Sequence, residues 1–397
     1  MINISDIKGL SQLATDSVSG VTNLIANMHK TIDRSSGLFG STTTGSLGAI
    51  TDIVYQSIHS VNGIVHNSID SIITQLEPLI DDHQYFPERE IVLSALNGVV
   101  GDYLVEQKNP LALEMTLKYK GKPLNLDSEA IDKQLDHFTG KLIILVHGLC
   151  MNEQQWLYKD HNHGHQLSKD LGYTPVFLNY NSGLHISING RSFSDLLEQF
   201  IRRIPVEDFV ILAHSMGGLV TRSAYYYGES MNYKWPRLLK KQFFLGTPHH
   251  GAPLEKGGNW INTVLDFFPH ASPFACLPKI RSSGITDLRY GYLIDEDWNS
   301  NDRFDNVQEN KNHLPLPQHV QNYAIAATLG TDQTTVKNSI VGDGLVPVDS
   351  ALGKHSNSEY CLNFPKSSQW IGYGLNHLDL ICNSSVYDRI KLWCMEH

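Results

Sequence analysis

Positive charge is scarce in this chain. Lys and Arg number 31 against 41 Asp and Glu, for a formal net charge of −10. A surface with that balance is poorly suited to tracking a nucleic-acid backbone or docking electrostatically on an anionic bilayer. Cysteine is scarce too. The five present are an odd number without metal-type spacing, so a disulfide framework is not indicated and a reduced, cytoplasmic setting is expected. No apolar run approaches the roughly 18 residues that a membrane-spanning helix needs, so no transmembrane segment is expected. A basic segment followed by an apolar one, the mark of a secretory signal, is missing from the N-terminus. There is no internal repeat and no extended low-complexity tract. What remains is 397 residues at 41% hydrophobic and 18% charged, a globular composition. That length accommodates one large domain and an accessory segment.

Residues 1–85 differ from the rest. Ile4, Ile7, Leu10, Leu13, Val18, Val21, Leu24 and Met28 recur at helical spacing, as do Ile50, Val54, Ile58, Val61, Val65, Ile69, Ile72, Leu76 and Ile80. A Ser-, Thr- and Gly-rich stretch from Ser35 to Gly48 separates them, so an N-terminal helical hairpin is predicted. Its polar faces hold few Lys or Arg, unlike membrane-surface helices. Packing on the rest of the chain, or between subunits of a homo-oligomer, is the expected use, with a lipid-facing hairpin as the alternative.

Residues 86–397 form the expected second domain. A helix is predicted over about 88–105, and a strand over 113–119 that turns at Gly121-Lys-Pro123. Strands near 141–146, 174–179, 209–213, 241–246 and 322–327 alternate with helical segments. That alternation indicates an α/β fold with a mostly parallel, doubly wound sheet. Residues 252 to about 318 are too long for a plain connection. With Trp260, Ile261, Val264, Leu265, Phe267, Phe268 and Phe274 they read as a helical cap or lid.

The chemistry concentrates at Phe209-Val-Ile-Leu-Ala-His-Ser-Met-Gly-Gly218. An apolar strand ends in a tight turn with Ser215 at its apex, and Leu219 to Tyr225 continue as a helix. Such a turn exposes a serine hydroxyl above the sheet. The small neighbours are Ala213 and Gly217, giving A-x-S-x-G where the common form has Gly first. A serine nucleophile needs a base, an orienting carboxylate and donors for an oxyanion. In this strand–turn–helix context the partners follow in the order acid, then His. Asp343 in Val341-Gly-Asp-Gly-Leu-Val-Pro347 and His377 in Gly372-Tyr-Gly-Leu-Asn-His-Leu-Asp379 fit that order. Asp349 and Asp379 compete for the orienting role, and His249, His250 and His355 compete as base. Upstream, the strand Lys141 to Val146 runs into His147-Gly148-Leu149-Cys150. The loop after that strand lends one N–H to the oxyanion and the residue after the serine lends the other, so Leu149 and Met216 are the expected donors. His147, Gly148, His214, Trp260 and Phe267 are the expected substrate-binding residues.

These motifs, with Gly246-Thr-Pro-His-His-Gly251, resemble the lipase and esterase branch of the α/β-hydrolase superfamily. They are most similar to bacterial lipase-like proteins and to GPI inositol-deacylase-like relatives. The Ala-His-Ser-Met-Gly-Gly string itself is similar to that of certain small bacterial lipases, and the resemblance covers roughly residues 110–397. It implies an α/β-hydrolase fold and hydrolysis of a small-molecule or lipid ester through an acyl-serine, with no cofactor. Acyl transfer on the same fold, or a binding or scaffold role through the N-terminal helices, are the alternatives. The resemblance also makes Asp379, two residues after the His, a weak calcium candidate. The acidic stretch Asp295 to Asp302 lacks the Gly and Glu of an EF-hand and reads as a solvated loop. Asp160-His-Asn-His-Gly-His165 reads as a surface loop, with three imidazoles on one face of an extended strand as a weaker metal reading.

Overall fold

The computed structural model describes residue 9 and residues 87–127, 131–135, 137–251, 282–299, 311–331 and 342–396. The chain divides into two compact units, Met1–Leu113 with Gly258–Ser282, and Glu114–Gly257 with Ser283–His397. The predicted hairpin over 1–85 lies outside the described residues apart from Gly9. So do 252–281 and 300–310 of the predicted cap, including Trp260 and Phe267.

In the first unit, helix α1 spans Pro87–Glu106. Asn97, fully buried, joins it to the segment that follows. Its Nδ2 donates to Leu93 O and Leu111 O, and its Oδ1 accepts from Leu113 N. A buried amide satisfied at both ends fixes that turn without an orphaned polar group.

The second unit is built on an eight-stranded sheet. Its strands are β1 (Thr116–Tyr119), β2 (Lys122–Pro123), β3 (Lys141–Val146), β4 (Thr174–Asn179), β5 (Asp208–His214), β6 (Leu239–Leu245), β7 (Gln321–Thr328) and β8 (Gln369–Tyr373). The order is β2-β1-β4-β3-β5-β6-β7-β8. β1 is antiparallel to β2 and β4, and the other six strands are mutually parallel. The helices used below are α2 (His163–Leu171), α3 (Ile186–Ile201), α4 (Met216–Ser230), α5 (Ser283–Tyr290) and α6 (Ser384–Met395).

Leu142 to Val146 and Phe209 to Ala213 are all 0% exposed. Strands covered on both faces carry continuous apolar runs, which is why β3 and β5 can be read from sequence. α4 leaves β5 so tightly that its first turn needs glycine. A Cβ on Gly217 would sit 2.5 Å from the carbonyl oxygens of Val146 and His147, and one on Gly218 would overlap Thr247. Sequence reasoning misses β8. Gln369-Trp-Ile-Gly-Tyr is an edge strand of mostly half-buried residues, with no apolar run, and its pairing with β7 defines it.

Candidate active site

Ser215 links β5 to α4 with φ 54° and ψ −125°, a left-handed conformation a non-glycine residue rarely adopts. Its N–H donates to Leu245 O at 2.8 Å, which ties the turn to the end of β6. A Cβ on Gly148 would come within 3.0 Å of the Ser215 Cβ, so the loop after β3 lies directly against the serine.

His377 and Asp343 meet across 34 residues of sequence. His377 Nδ1 lies 2.7 Å from Asp343 Oδ2, and both side chains are buried. The carboxylate can only accept, so Nδ1 carries the hydrogen and Nε2 presents a bare lone pair. Nε2 has no hydrogen-bond partner among the described residues. Asp343 Oδ1 accepts from Leu345 N at 3.0 Å and Val346 N at 2.8 Å, and its carbonyl accepts from His377 N at 3.1 Å. The carboxylate is thereby held in one orientation.

Two contacts bring this pair to the serine. His214, the residue before Ser215, donates from Nε2 to His377 O at 3.1 Å, and the two rings lie 4.7 Å apart. Gly246, the residue after the Leu245 carbonyl that holds Ser215, has φ 57°. A Cβ there would be 3.1 Å from His377 Cε1, 3.2 Å from Asp343 Oδ2 and 2.7 Å from Leu380 Cδ1. Gly246 is therefore required both for its backbone angle and for the approach of the dyad.

The loop after β3 is braced from behind. Cys150 has φ 59°, and its N–H donates to Ser182 Oγ at 3.0 Å. Tyr180 Oη donates to His147 O at 2.8 Å and stacks on the His147 ring at 4.3 Å. His147 donates from Nδ1 to Gly148 O at 2.8 Å, and burial pushes its pKa down to about 4. Leu149 and Met216 are both buried, Met216 at the first position of α4, where unpaired N–H groups point out of the helix.

Residues 137–323 match the family described as PGAP1-like alpha/beta domain. That match spans β3 to the start of β7, the elbow included. The chain has an α/β-hydrolase fold. Among solved structures it is similar to the mature form of a Bacillus licheniformis lipase, at 17% identity and TM-score 0.41, over 64% of this chain and 91% of that one. It is also similar to Aspergillus fumigatus lipase B, at 14% identity and TM-score 0.38, over 96% and 83%. A lipase-esterase related protein from Clostridium acetobutylicum matches at 13% identity and TM-score 0.34, over 70% and 98%. At such scores the fold assignment rests on the sheet and the elbow. No curated protein matches this chain.

The other sequence candidates stand elsewhere in this fold. Asp349 is exposed and paired with Lys354 at 3.3 Å. Asp379, the calcium candidate, gives Oδ1 to Lys159 at 2.8 Å and Oδ2 to Asn376 N at 3.0 Å. No group of three metal-type ligands occurs among the described residues. His249, His250 and His355 lie in a separate cluster described below. His147 and His214 are each 0% exposed, so both rings pack behind the serine and the oxyanion loop. Burial and the neighbouring His377 hold His214 well below the ordinary histidine range. The acidic stretch is structural where described. Asp295 pairs with Arg191, and Asp297 accepts from Leu293 and Ile294 N–H groups.

The 160–165 segment is a correction. It forms neither a surface loop nor an extended strand, because Asn162 caps α2, accepting from His165 N at 3.0 Å, His163 and His165 enter the helix, and His163 is fully buried. An asparagine directly before the imidazole at the helix start was the available signal. Gly246, Ser182 and Tyr180 are the site residues that sequence reasoning missed. Only the glycine-rich 246–251 string gave a hint of the first.

Proposed function

We propose that this α/β-hydrolase is a serine carboxylic-ester hydrolase. The reading is carried by one observation: a buried Asp343–His377 pair, with Nε2 unpartnered, beside a serine held at φ 54°. In this reading Ser215 Oγ attacks the ester carbonyl as His377 Nε2 takes its proton. The developing oxyanion is met by the N–H groups of Met216 and Leu149, each worth about 3 kcal/mol of transition-state stabilisation. Collapse expels the alcohol, which receives the proton from Nε2. Water then gives a proton to Nε2 and attacks the acyl-serine, and Nε2 returns that proton to Ser215 Oγ as the acid is released. Asp343 stays ionised throughout and fixes the imidazole tautomer.

Leu149, Met151 and Met216, each at most 1% exposed, give the surroundings of the serine an apolar lining that suits a hydrophobic acyl or alcohol group. His147-Gly148 and His214 contribute by packing and backbone placement. No helix of the described residues is long and apolar enough to cross a membrane. A small-molecule or lipid ester is the proposed substrate, and a cytoplasmic setting is proposed from the sequence, whose five cysteines lack the spacing of a disulfide framework.

The test is hydrolysis of p-nitrophenyl esters, short to long in acyl chain, by the wild type beside Ser215→Ala and His377→Ala. Turnover that disappears in both variants is expected, with a longer-chain optimum for a lipase. Undiminished turnover in His377→Ala would sink the assignment. Product analysis with an added alcohol separates hydrolysis from acyl transfer.

A further inference from the structure

A second group of functional side chains lies along α4, away from the serine. Arg222 follows Ser215 by seven residues, about 10 Å along the helix. It is 8% exposed, and a guanidinium N–H donates to Leu314 O. Three residues before Leu314, half-buried Lys311 donates from Nζ to His249 O at 3.2 Å. Among the described residues no carboxylate reaches ion-pair distance of either cation. The nearest charge of opposite sign acting on both is Asp297. Its Oδ2 accepts from Leu293 N and Ile294 N, and its Oδ1 from Asn312 N and Nδ2.

Histidines complete the group. His249 is 0% exposed, and neither ring nitrogen has a hydrogen-bond partner among the described residues. His250 follows it and lies 5.0 Å from the His355 ring. His355 is 5.3 Å from Tyr360, and Tyr360 is 5.9 Å from His313, which lies between Lys311 and Leu314. The contacts thus run in a circuit from the 249–250 turn to the 311–314 segment. His313 and His355 are exposed, so one side of the group meets solvent.

Two cations with only carbonyl partners are costly to bury. Burial and the Arg222 charge push the Lys311 ammonium down to about 7, and burial pushes Arg222 to about 10. The unpartnered buried polar atoms here are the ring nitrogens of His249 and His250. We propose that Arg222, Lys311 and the His249–His250 turn bind a small phosphate-type oxyanion at a site separate from the Ser215 elbow. A guanidinium fork and an ammonium match the several oxygens of a tetrahedral anion. One negative charge balances what Asp297 leaves over, and a neutral imidazole can donate a hydrogen bond to a further oxygen. A carboxylate, with one charge and two oxygens, fills fewer of these donors. The site uses no residue of the ester chemistry and stands independently of it.

The experiment is calorimetric titration of the full chain with inorganic phosphate, beside acetate and chloride at equal ionic strength. Saturable phosphate binding is expected for the wild type and equally for Ser215→Ala. Binding is expected to weaken at least about tenfold in Lys311→Gln and in Arg222→Gln, as when a charged partner is removed. Lys311 is half-buried, so its variant tests the site if the buried Arg222 variant fails to fold. Absence of saturable phosphate binding to the folded wild type would overturn the proposal. So would an equal response to acetate, unchanged affinity in Lys311→Gln, or loss of binding in Ser215→Ala.

Discussion

Acid should destabilise this protein through His163, and the size of the effect can be worked from its surroundings. His163 opens α2 and is 0% exposed. Its Nε2 lies 3.0 Å from Leu380 O, and its Nδ1 lies 2.7 Å from His161 Nε2. A carbonyl only accepts, so His163 carries its hydrogen on Nε2, and Nδ1 receives the hydrogen of His161. A second proton on His163 would set two N–H groups against each other. Burial, reinforced by the His161 charge, pushes its pKa from 6.5 down to about 3. Between those values the unfolded chain binds a proton that the folded chain refuses. Stability is therefore intact above 6.5, falls as pH drops through that value, and stops falling on this account below about 3. Going from about pH 7 to about pH 5 costs roughly 2 kcal/mol through this one imidazole. The assay is urea unfolding followed by tryptophan fluorescence at both pH values, for wild type and His163→Gln. Glutamine keeps a donor for Leu380 O but does not titrate. The wild type should lose about 2 kcal/mol more than the variant over that interval. His147, lowered to about 4 by burial, acts in the same direction and cancels in the comparison. Parallel losses in the two proteins would refute the reasoning.

Three further outcomes are expected. Asp343→Asn should lower kcat by about 10⁴-fold, because the amide no longer holds the same imidazole tautomer, with circular dichroism unchanged; near-normal kcat would remove Asp343 from that role. Gly246→Ala forces an alanine to φ 57° and drives its Cβ against Leu380 and His377. It should cost about 2–4 kcal/mol in thermal unfolding, and a loss under about 0.5 would contradict the crowding. Ser182→Ala removes the hydroxyl that accepts from the buried Cys150 N–H, so kcat on an ester should fall more than KM rises, with about 1–3 kcal/mol lost from stability; unchanged kcat would show that the brace is not needed.

Legibility in the sequence follows burial. β3, β5 and β6 stand out because parallel strands covered on both faces cannot alternate with polar residues. The elbow stands out because its strand, turn serine and glycines are contiguous, although the atoms those glycines make room for belong to the end of β3 and to Thr247 after β6. β8 does not, since an edge strand can be short and half-polar when β7 supplies its hydrogen bonds. The 160–165 histidines mislead for a related reason. Their spacing fits an extended strand as well as a helix start, and only the Asn162 cap and the packing of His163 on Leu380 separate the two.

By itself the chain's order determines the alternation of strands and helices and the strained turn at Ser215. These are consequences of local periodicity and backbone sterics, which neighbouring residues carry. Only the tertiary structure decides that Asp343, and not Asp349 or Asp379, lies 2.7 Å from His377. It also decides that Gly246 admits the pair and that Arg222 and Lys311 lack carboxylates in ion-pair reach among the described residues. Those facts depend on which distant segments the sheet brings side by side. Burial then fixes which charges water can no longer screen.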